Sequence, residues 1–325
     1  MIPRAALASA VLAMLFSFSV QADDGPTYLK AEDAGPDFKI QGEYSGEVRR
    51  DGQTMKFGLQ VIALGKGKFD GVAYHGGLPG DGWDGGEKIR ATGETKDGTT
   101  RLIADGHGTA VIANDEAVIQ DDEGKTFATL KRIERKSPTL GAKPPEGAIV
   151  LFDGKSAEHF KRGELTEGDL LVADCETKDK FGDHTLHIEF RTPFRPEARD
   201  QARGNSGVYV QGRYECQVLD SFGLEGENNE CGGIYSISKP LVNACFPPLT
   251  WQTYDMDYTA SVYEGDKKVK NSRVTIKHNG ITIHDDLELP HGTPGKNPEA
   301  PGPDVIYLQG HGNPVVYRNI WVVKK

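Results

Sequence analysis

The sequence predicts an all-β protein: a β-sandwich or jelly roll preceded by a smaller β-rich domain. Three observations carry this. Short alternating runs rich in β-branched and aromatic residues recur about every ten residues, separated by glycine turns. No long stretch repeats its apolar residues at helical spacing. The 325 residues include 40 Gly and 18 Pro, and 37% are hydrophobic, which suits a turn-rich globular chain and lies outside the compositions of disorder.

Taken in order, residues 1–22 read MIPRAALASAVLAMLFSFSVQA, with Arg4 ahead of an apolar core and Val20-Gln21-Ala22 at its end. This is the pattern of a cleaved secretory signal and predicts a secreted or periplasmic protein. Residues 23–37 are polar and are expected to be poorly ordered. Residues 38–135 alternate runs such as MKFGLQVIAL, FDGVAYHG and TAVIAND with turns, the pattern of a small all-β domain. KSPTLGAKPPEG, 136–147, has three prolines and reads as the linker. Residues 148–325 form the sandwich, with strands expected at HTLHIEFRT, SGVYVQG, RYECQVLD, GGIYSI, WQTYDMDYTA, SRVTIKHNG, ITIHDD and VVYRNIWVV, among others. His278-Asn279-Gly280 carries a two-residue hairpin signal.

The formal charge of −10 argues against nucleic acid and, once the signal is cleaved, against a membrane surface. A neutral partner such as a carbohydrate stays open. Four cysteines show no zinc spacing. In an exported chain Cys231 and Cys245, flanking a Gly/Pro-rich loop, are candidates for a disulfide, whereas Cys216 reads as a small buried residue.

The stretch GNSGVYVQGRYECQVLD, 204–220, alternates on both sides of one glycine. With 210–212 as a three-residue turn and Gly212 left-handed, Tyr209 would face Arg213, Gly207 would face Glu215, and Asn205 would face Gln217. One face then holds Val208, Val210, Tyr214, Cys216 and Val218, a core layer. The other holds Asn205, Gly207, Tyr209, Arg213, Glu215 and Gln217. A two-residue turn would mix the faces, so the three-residue turn is favoured. The polar face carries amides, an aromatic ring, one Arg and one Glu but no Lys, and a glycine that leaves room above the sheet. Such groups suit sugar hydroxyls, although a solvated sheet surface also fits the alternation.

Near the C-terminus Tyr307, Gln309 and His311 point opposite to Ile306 and Leu308, and His311 lies between two glycines. In HTLHIEFRT, Glu189 and Arg191 alternate with core residues; they could line the same concave sheet or form a surface ion pair. Trp251 fits either the core or a platform for a pyranose ring. GNSGV misses the nucleophile-elbow pattern at its fifth position and lacks the helix that should follow. The acidic spacing of DGWDGGE, 81–87, does not fit a calcium loop.

RGNSGVYVQGRYECQVLDSFG, NNECGGIYSISKPLVNACFPPLTWQTYDMDYTA, VTIKHNGITIHDDLEL and YLQGHGNPVVYRNIWVV resemble, in order, the 3-keto-disaccharide hydrolase domain family over about residues 147–325. Val316, Gly310 and Cys216 depart from the family's usual residues. The resemblance implies a concanavalin A-like, lectin/glucanase-type sandwich acting on glycosides whose C3 hydroxyl is oxidised to a ketone. Such a ketone acidifies the C2 proton, so the chemistry needs a base, an oxyanion stabiliser and an acid. Glu215, held rigidly on a strand, is the candidate base. Arg213 or Arg318 could stabilise the enolate, and His311 or Asp220 could protonate the leaving group. Asn205, Tyr209, Gln217 and Gln309 would orient the sugar, with Trp251 stacking. No cofactor is implied with certainty; a divalent metal could take the arginine's part. Two alternatives stay open: a direct glycosidase pairing Glu215 with Asp220 or Glu189, and a carbohydrate-binding protein without catalysis.

Overall fold

The computed structural model describes residues 25–50, 53–166 and 168–325. The export signal expected at 1–22 lies outside them. The segment 23–37, expected to be poorly ordered, is built into the structure from Gly25 on. Tyr28 pairs with Phe194 through backbone hydrogen bonds, and α1 (Gly35–Ile40) starts at a proline in its first turn. The reason is apolar anchoring: Phe38 and Ile40 of α1 pack against the core of the barrel that follows.

That barrel consists of β1 (Gly42–Arg50), β2 (Gln53–Gly65), β3 (Lys68–His75), β4 (Lys88–Lys96), β5 (Thr99–Ala104), β6 (Gly108–Ala113), β7 (Glu116–Gln120) and β8 (Thr126–Ile133). Each strand pairs antiparallel with the next, and β1 closes onto β8, so no edge is left open. The period-2 pattern explains the inside. On β5, Leu102 and Ala104 are buried while Arg101 and Ile103 face solvent. Tyr44, Val61, Phe69, Ile112 and Leu130 fill one half of the interior. Phe38 and the sandwich residue Phe194 stop that end, and their rings meet edge to face.

The sandwich follows with β9 (Ile149–Phe152), β10 (Phe160–Lys161), β11 (Leu165–Thr166), β12 (Leu170–Val172), β13 (Cys175–Thr177), β14 (His184–Arg191), β15 (Ser206–Val210) and β16 (Tyr214–Val218). It is completed by β17 (Gln252–Thr259), the small hairpin β18 (Val262–Glu264) and β19 (Lys267–Lys270), then β20 (Ser272–His278), β21 (Ile281–Leu289), β22 (Tyr307–Leu308) and β23 (Val316–Lys324). The smaller sheet has the order β10-β13-β22-β15-β16. The larger runs β11-β12-β23-β14-β17-β20-β21, with β9 beside β23. The molecule is thus all-β, a concanavalin A-like jelly-roll sandwich preceded by a smaller β-rich unit. The sheets share one core, in which Leu186, Ile188 and Phe190 of β14 join Val208, Val210 and Cys216 of the β15–β16 hairpin. Asn279 and Gly280 both take positive φ, 52° and 80°, the geometry of a tight hairpin between β20 and β21. Gly232–Ile237, expected as a strand, is instead a turn held to β16 by a single bridge between Ile234 and Cys216.

All four cysteines are free and buried, so the expected Cys231–Cys245 disulfide is not formed. The Cys231 and Cys245 thiols lie side by side, and each has further partners. Cys231 Sγ lies 3.2 Å from the Tyr254 hydroxyl, and Cys245 donates to the carbonyls of Phe246 and Leu219.

Barrel and sandwich touch along two seams. Phe222 of the sandwich packs with Ile62, Val72, Tyr74 and Leu78 on the outside of the barrel. Arg203 and Arg199 donate to the carbonyls of Ala63 and Leu64 at the end of β2. The segment between the two units crosses the outer face of the larger sheet. Ser137 and Thr139 bond Thr253, Thr139 also donates to Asp255, and the carbonyl of Ala142 accepts from Asn319 and Trp321.

Candidate functional site

The β15–β16 hairpin has a three-residue loop, but it is 211–213 instead of 210–212. Tyr209 stands opposite Glu215, Gly207 opposite Gln217, and Val210 opposite Tyr214. Gln211 and Gly212 take positive φ, 51° and 59°, so the turn needs two left-handed residues where the sequence advertised one. The expected pairings shift by two positions. Because side chains alternate with period two, that shift leaves the strand residues on their expected faces, while Arg213 passes from the strand into the turn.

The pairings build a continuous row across the outer face of the smaller sheet. Lys161 stands opposite Glu176, Glu176 opposite Tyr307, Tyr307 opposite Tyr209, and Tyr209 opposite Glu215. A loop folds over the end of this row along the edge of β16 that faces away from β15. Thr293 bonds the backbone of Arg213 and Glu215, and the carbonyl of Pro294 accepts from the Tyr209 hydroxyl at 3.0 Å. Lys296 sits 4.6 Å above the Tyr307 ring and 2.7 Å from Glu176, whose carboxyl it holds below the usual range.

Glu215 is 5% exposed. Burial raises its carboxyl to about 7, with the neighbouring Tyr209 hydroxyl acting the other way. Its side chain lies over Gly207, where a Cβ would collide with it. The glycine therefore creates the berth for this carboxyl.

Beside Glu215 lie three amides whose orientation can be deduced. The carbonyl of Asn229 can only accept, and it receives the Nε2 of both Gln201 and Gln217. Gln201 Oε1 must then accept, and it takes Asn205 Nδ2 at 2.8 Å and Gln217 Nε2 at 3.1 Å. Asn205 Oδ1 and Gln217 Oε1 are left buried with no partner. Gln309 Nε2 donates to the Tyr209 oxygen, leaving Gln309 Oε1 buried and unpartnered as well. Three amide oxygens on one face are thus buried acceptors without donors, which is costly unless a ligand or water supplies them. The arrangement suits a neutral, hydroxyl-rich molecule next to a carboxyl that can exchange a proton near neutral pH.

The other residues expected at the site lie elsewhere. Arg213 is buried in the hairpin turn and donates to Gln211, the carbonyl of Gly302 and Asp304. Asp220 is buried in an ion pair with Arg203, 2.8 Å away. Glu189, Arg191, Arg318 and Trp251 stand on the outer face of the larger sheet, across the core from Glu215. Their strands belong to that sheet, so they cannot line the same concave surface. Arg318 lies 3.9 Å above the Trp251 ring and Arg191 5.1 Å from it, so this tryptophan stacks arginines in place of sugar. Burial pushes the Glu189 carboxyl up, but hydrogen bonds from His187, Asn319, the Gly141 N–H and Arg318 outweigh it and bring the group to about 2. His311 is exposed, two residues beyond Gln309. Gln201, Asn229, Thr293, Tyr307 and Lys296 complete the patch. Only Tyr307 was signalled by alternation; the others come from loops, which carry no periodicity. Among the described residues no group of three or more His, Cys, Asp or Glu is placed to hold a metal ion.

The model of a family described as 3-keto-alpha-glucoside-1,2-lyase-like domain matches residues 147–323. A crystal structure from Parabacteroides distasonis ATCC 8503, of a protein named as a candidate glycosyl hydrolase, is similar at a TM-score of 0.52 and 33% identity, over 56% of this chain and 85% of that one. A second crystal structure of a protein so named from that organism matches at a TM-score of 0.43 and 18% identity, over 55% of this chain and 94% of that one. No curated protein matches the chain at a significant level.

Proposed function

Because the chain belongs to the 3-keto-alpha-glucoside-1,2-lyase-like domain family, we propose that it is an exported carbohydrate-active hydrolase whose substrates are 3-keto-glycosides, 3-keto-disaccharides among them, with Glu215 as the proton-transfer group. The observation that carries this reading is the Glu215 carboxyl, raised to about 7 and fixed on a strand between Tyr209 and the unpartnered oxygens of Gln217 and Asn205.

In this reading the unpartnered oxygens accept hydrogen bonds from sugar hydroxyls and set the ring's orientation. Ionised Glu215 takes the proton from C2. The electrons of that C–H bond form an enolate at the C3 oxygen, and its collapse breaks the C1–O bond and leaves a C1–C2 double bond. The proton held by Glu215 passes to the departing oxygen, which balances the elimination. Addition of water across the double bond, hydroxyl to C1 and proton to C2, completes hydrolysis. A carboxyl titrating near neutrality suits both directions of this exchange. The Lys296 ammonium, stacked on Tyr307, supplies positive charge on the same face for the enolate stage.

The two-carboxylate alternative loses its partners, since Asp220 is committed to Arg203 and Glu189 to the opposite sheet. A non-catalytic sugar-binding role is separated from the proposal by turnover. The test is incubation of the purified protein with a 3-keto-glucoside and with its unoxidised parent. Release of the aglycone from the oxidised substrate alone, lost in Glu215→Gln, is expected. Equal cleavage of both substrates, binding without product, or a fully active Glu215→Gln would each overturn it.

A further inference from the structure

We propose that the N-terminal barrel is itself a binding site, and that its open end holds one uncharged apolar small molecule. An eight-stranded barrel is just wide enough either to be filled by its own side chains or to enclose one small ligand. This barrel does both, one at each end. Tyr44, Phe69 and Leu130 fill the half closed by Phe38 and Phe194. Toward the other end the inward positions include Ala73, Ala91, Ala104 and Ala110, and a cavity of about 630 Å³ remains. Ligand cavities typically measure about 300–1,000 Å³. Ala73 and Ala91 point inward by register yet stay partly accessible, so the space communicates with the mouth.

The lining identifies the ligand class. Val48, Phe57, Leu59, Leu102 and Ile119 form an apolar wall; among the described residues the polar side chains of the lining are His75, His107 and Thr109, and the carboxylates Asp121 and Asp122 lie in the loop at the rim. Two rim carboxylates disfavour an anion such as a fatty acid, and a mainly hydrocarbon wall with few polar groups suits an apolar molecule better than a sugar. A second observation points the same way. Met55 and Phe127 at the mouth are 39% and 37% exposed, apolar surface left in water where an occupant would cover it.

The probe for a test is N-phenyl-1-naphthylamine, an uncharged apolar fluorophore, titrated into the full chain. Saturable enhancement at one probe per chain is expected. The anionic 1-anilinonaphthalene-8-sulfonate should bind at least tenfold more weakly. Ala91→Phe with Ala104→Leu fills the cavity and should weaken probe binding at least tenfold. Ala73→Leu is a milder second variant should the first not fold cooperatively by circular dichroism. Turnover of a 3-keto-glucoside should not change in either variant, so the proposal stands or falls apart from the sandwich's activity. Non-saturable enhancement, undiminished binding in a folded filled variant, or equal binding of the anionic probe would overturn it.

Discussion

The carboxyl of Glu215 occupies the space that a side chain on Gly207 would take, so the strand next to the acid gives way to it. The relationship is diagonal, since Gly207 faces Gln217 and Glu215 faces Tyr209. It makes the position of the carboxyl depend on a residue with no functional group.

Gly207→Ala is therefore expected to act on catalysis. Its φ is not left-handed, so the backbone tolerates alanine, and the carboxyl at the end of a flexible chain is what moves. A displacement near 1 Å at a reacting group can cost about 100-fold. A fall in kcat of at least about tenfold is expected, with unfolding still cooperative. Steady-state kinetics on a 3-keto-glucoside, beside a thermal melt, checks this.

The pH dependence follows from the raised carboxyl. The base is competent when ionised, so kcat/KM should rise with pH through about 7. Stability runs the opposite way. Below the ordinary glutamate value of 4.5 the group is neutral in both folded and unfolded chains. As pH rises from 4.5 to about 7 the unfolded chain ionises while the folded chain stays protonated, and on the order of 3 kcal/mol of folding stability is lost. Glu215→Gln should accordingly be inactive yet more stable than wild type at pH 8, by denaturant titration. A variant less stable at that pH would contradict the burial assigned to this group.

The unpartnered amide oxygens predict an effect on substrate affinity. Gln217→Met keeps the volume, removes the acceptor and breaks the bond to Gln201. With one sugar hydroxyl losing its partner, KM should rise about 5- to 20-fold, as one hydrogen bond of about 1–2 kcal/mol implies. The pH midpoint of kcat/KM should not move. A KM unchanged within twofold would show that Gln217 does not face the substrate.

Arg318→Ala separates the two faces of the sandwich. Arg318 bonds Glu189 at 2.7 Å and stacks on Trp251, far from the amides around Glu215. The expected result is a loss of about 1–2 kcal/mol in stability with kcat and KM unchanged. Denaturation and kinetics on the same preparation check both halves.

These contrasts show what alternation encodes and what it omits. The two faces of the 204–220 hairpin were readable because a slip of two residues preserves parity, which is why Tyr209, Glu215 and Gln217 meet as expected. The alternation of HTLHIEFRT separated Glu189 and Arg191 from the core, but the choice of sheet is made by long-range pairing with β17 and β23, which no local pattern specifies. Gln201, Asn229 and Lys296 arrive on loops, and loops are positioned by the scaffold beneath them. The barrel was legible as recurring short strands; its closure depends on β1 meeting β8 some 85 to 90 positions along the chain.

The strip from Ser137 to Ala142 was described as a crossing of the larger sheet, tied down by Thr253, Asp255, Glu189, Asn319 and Trp321. A connector held in this way does not behave as a tether. Hydrolysis of one peptide bond within it would leave both ends fastened, and the Phe194 and Phe222 seams would still hold the halves together. Covalent continuity and mechanical unity are separate properties of this chain, and only denaturation would release the nicked fragments from each other.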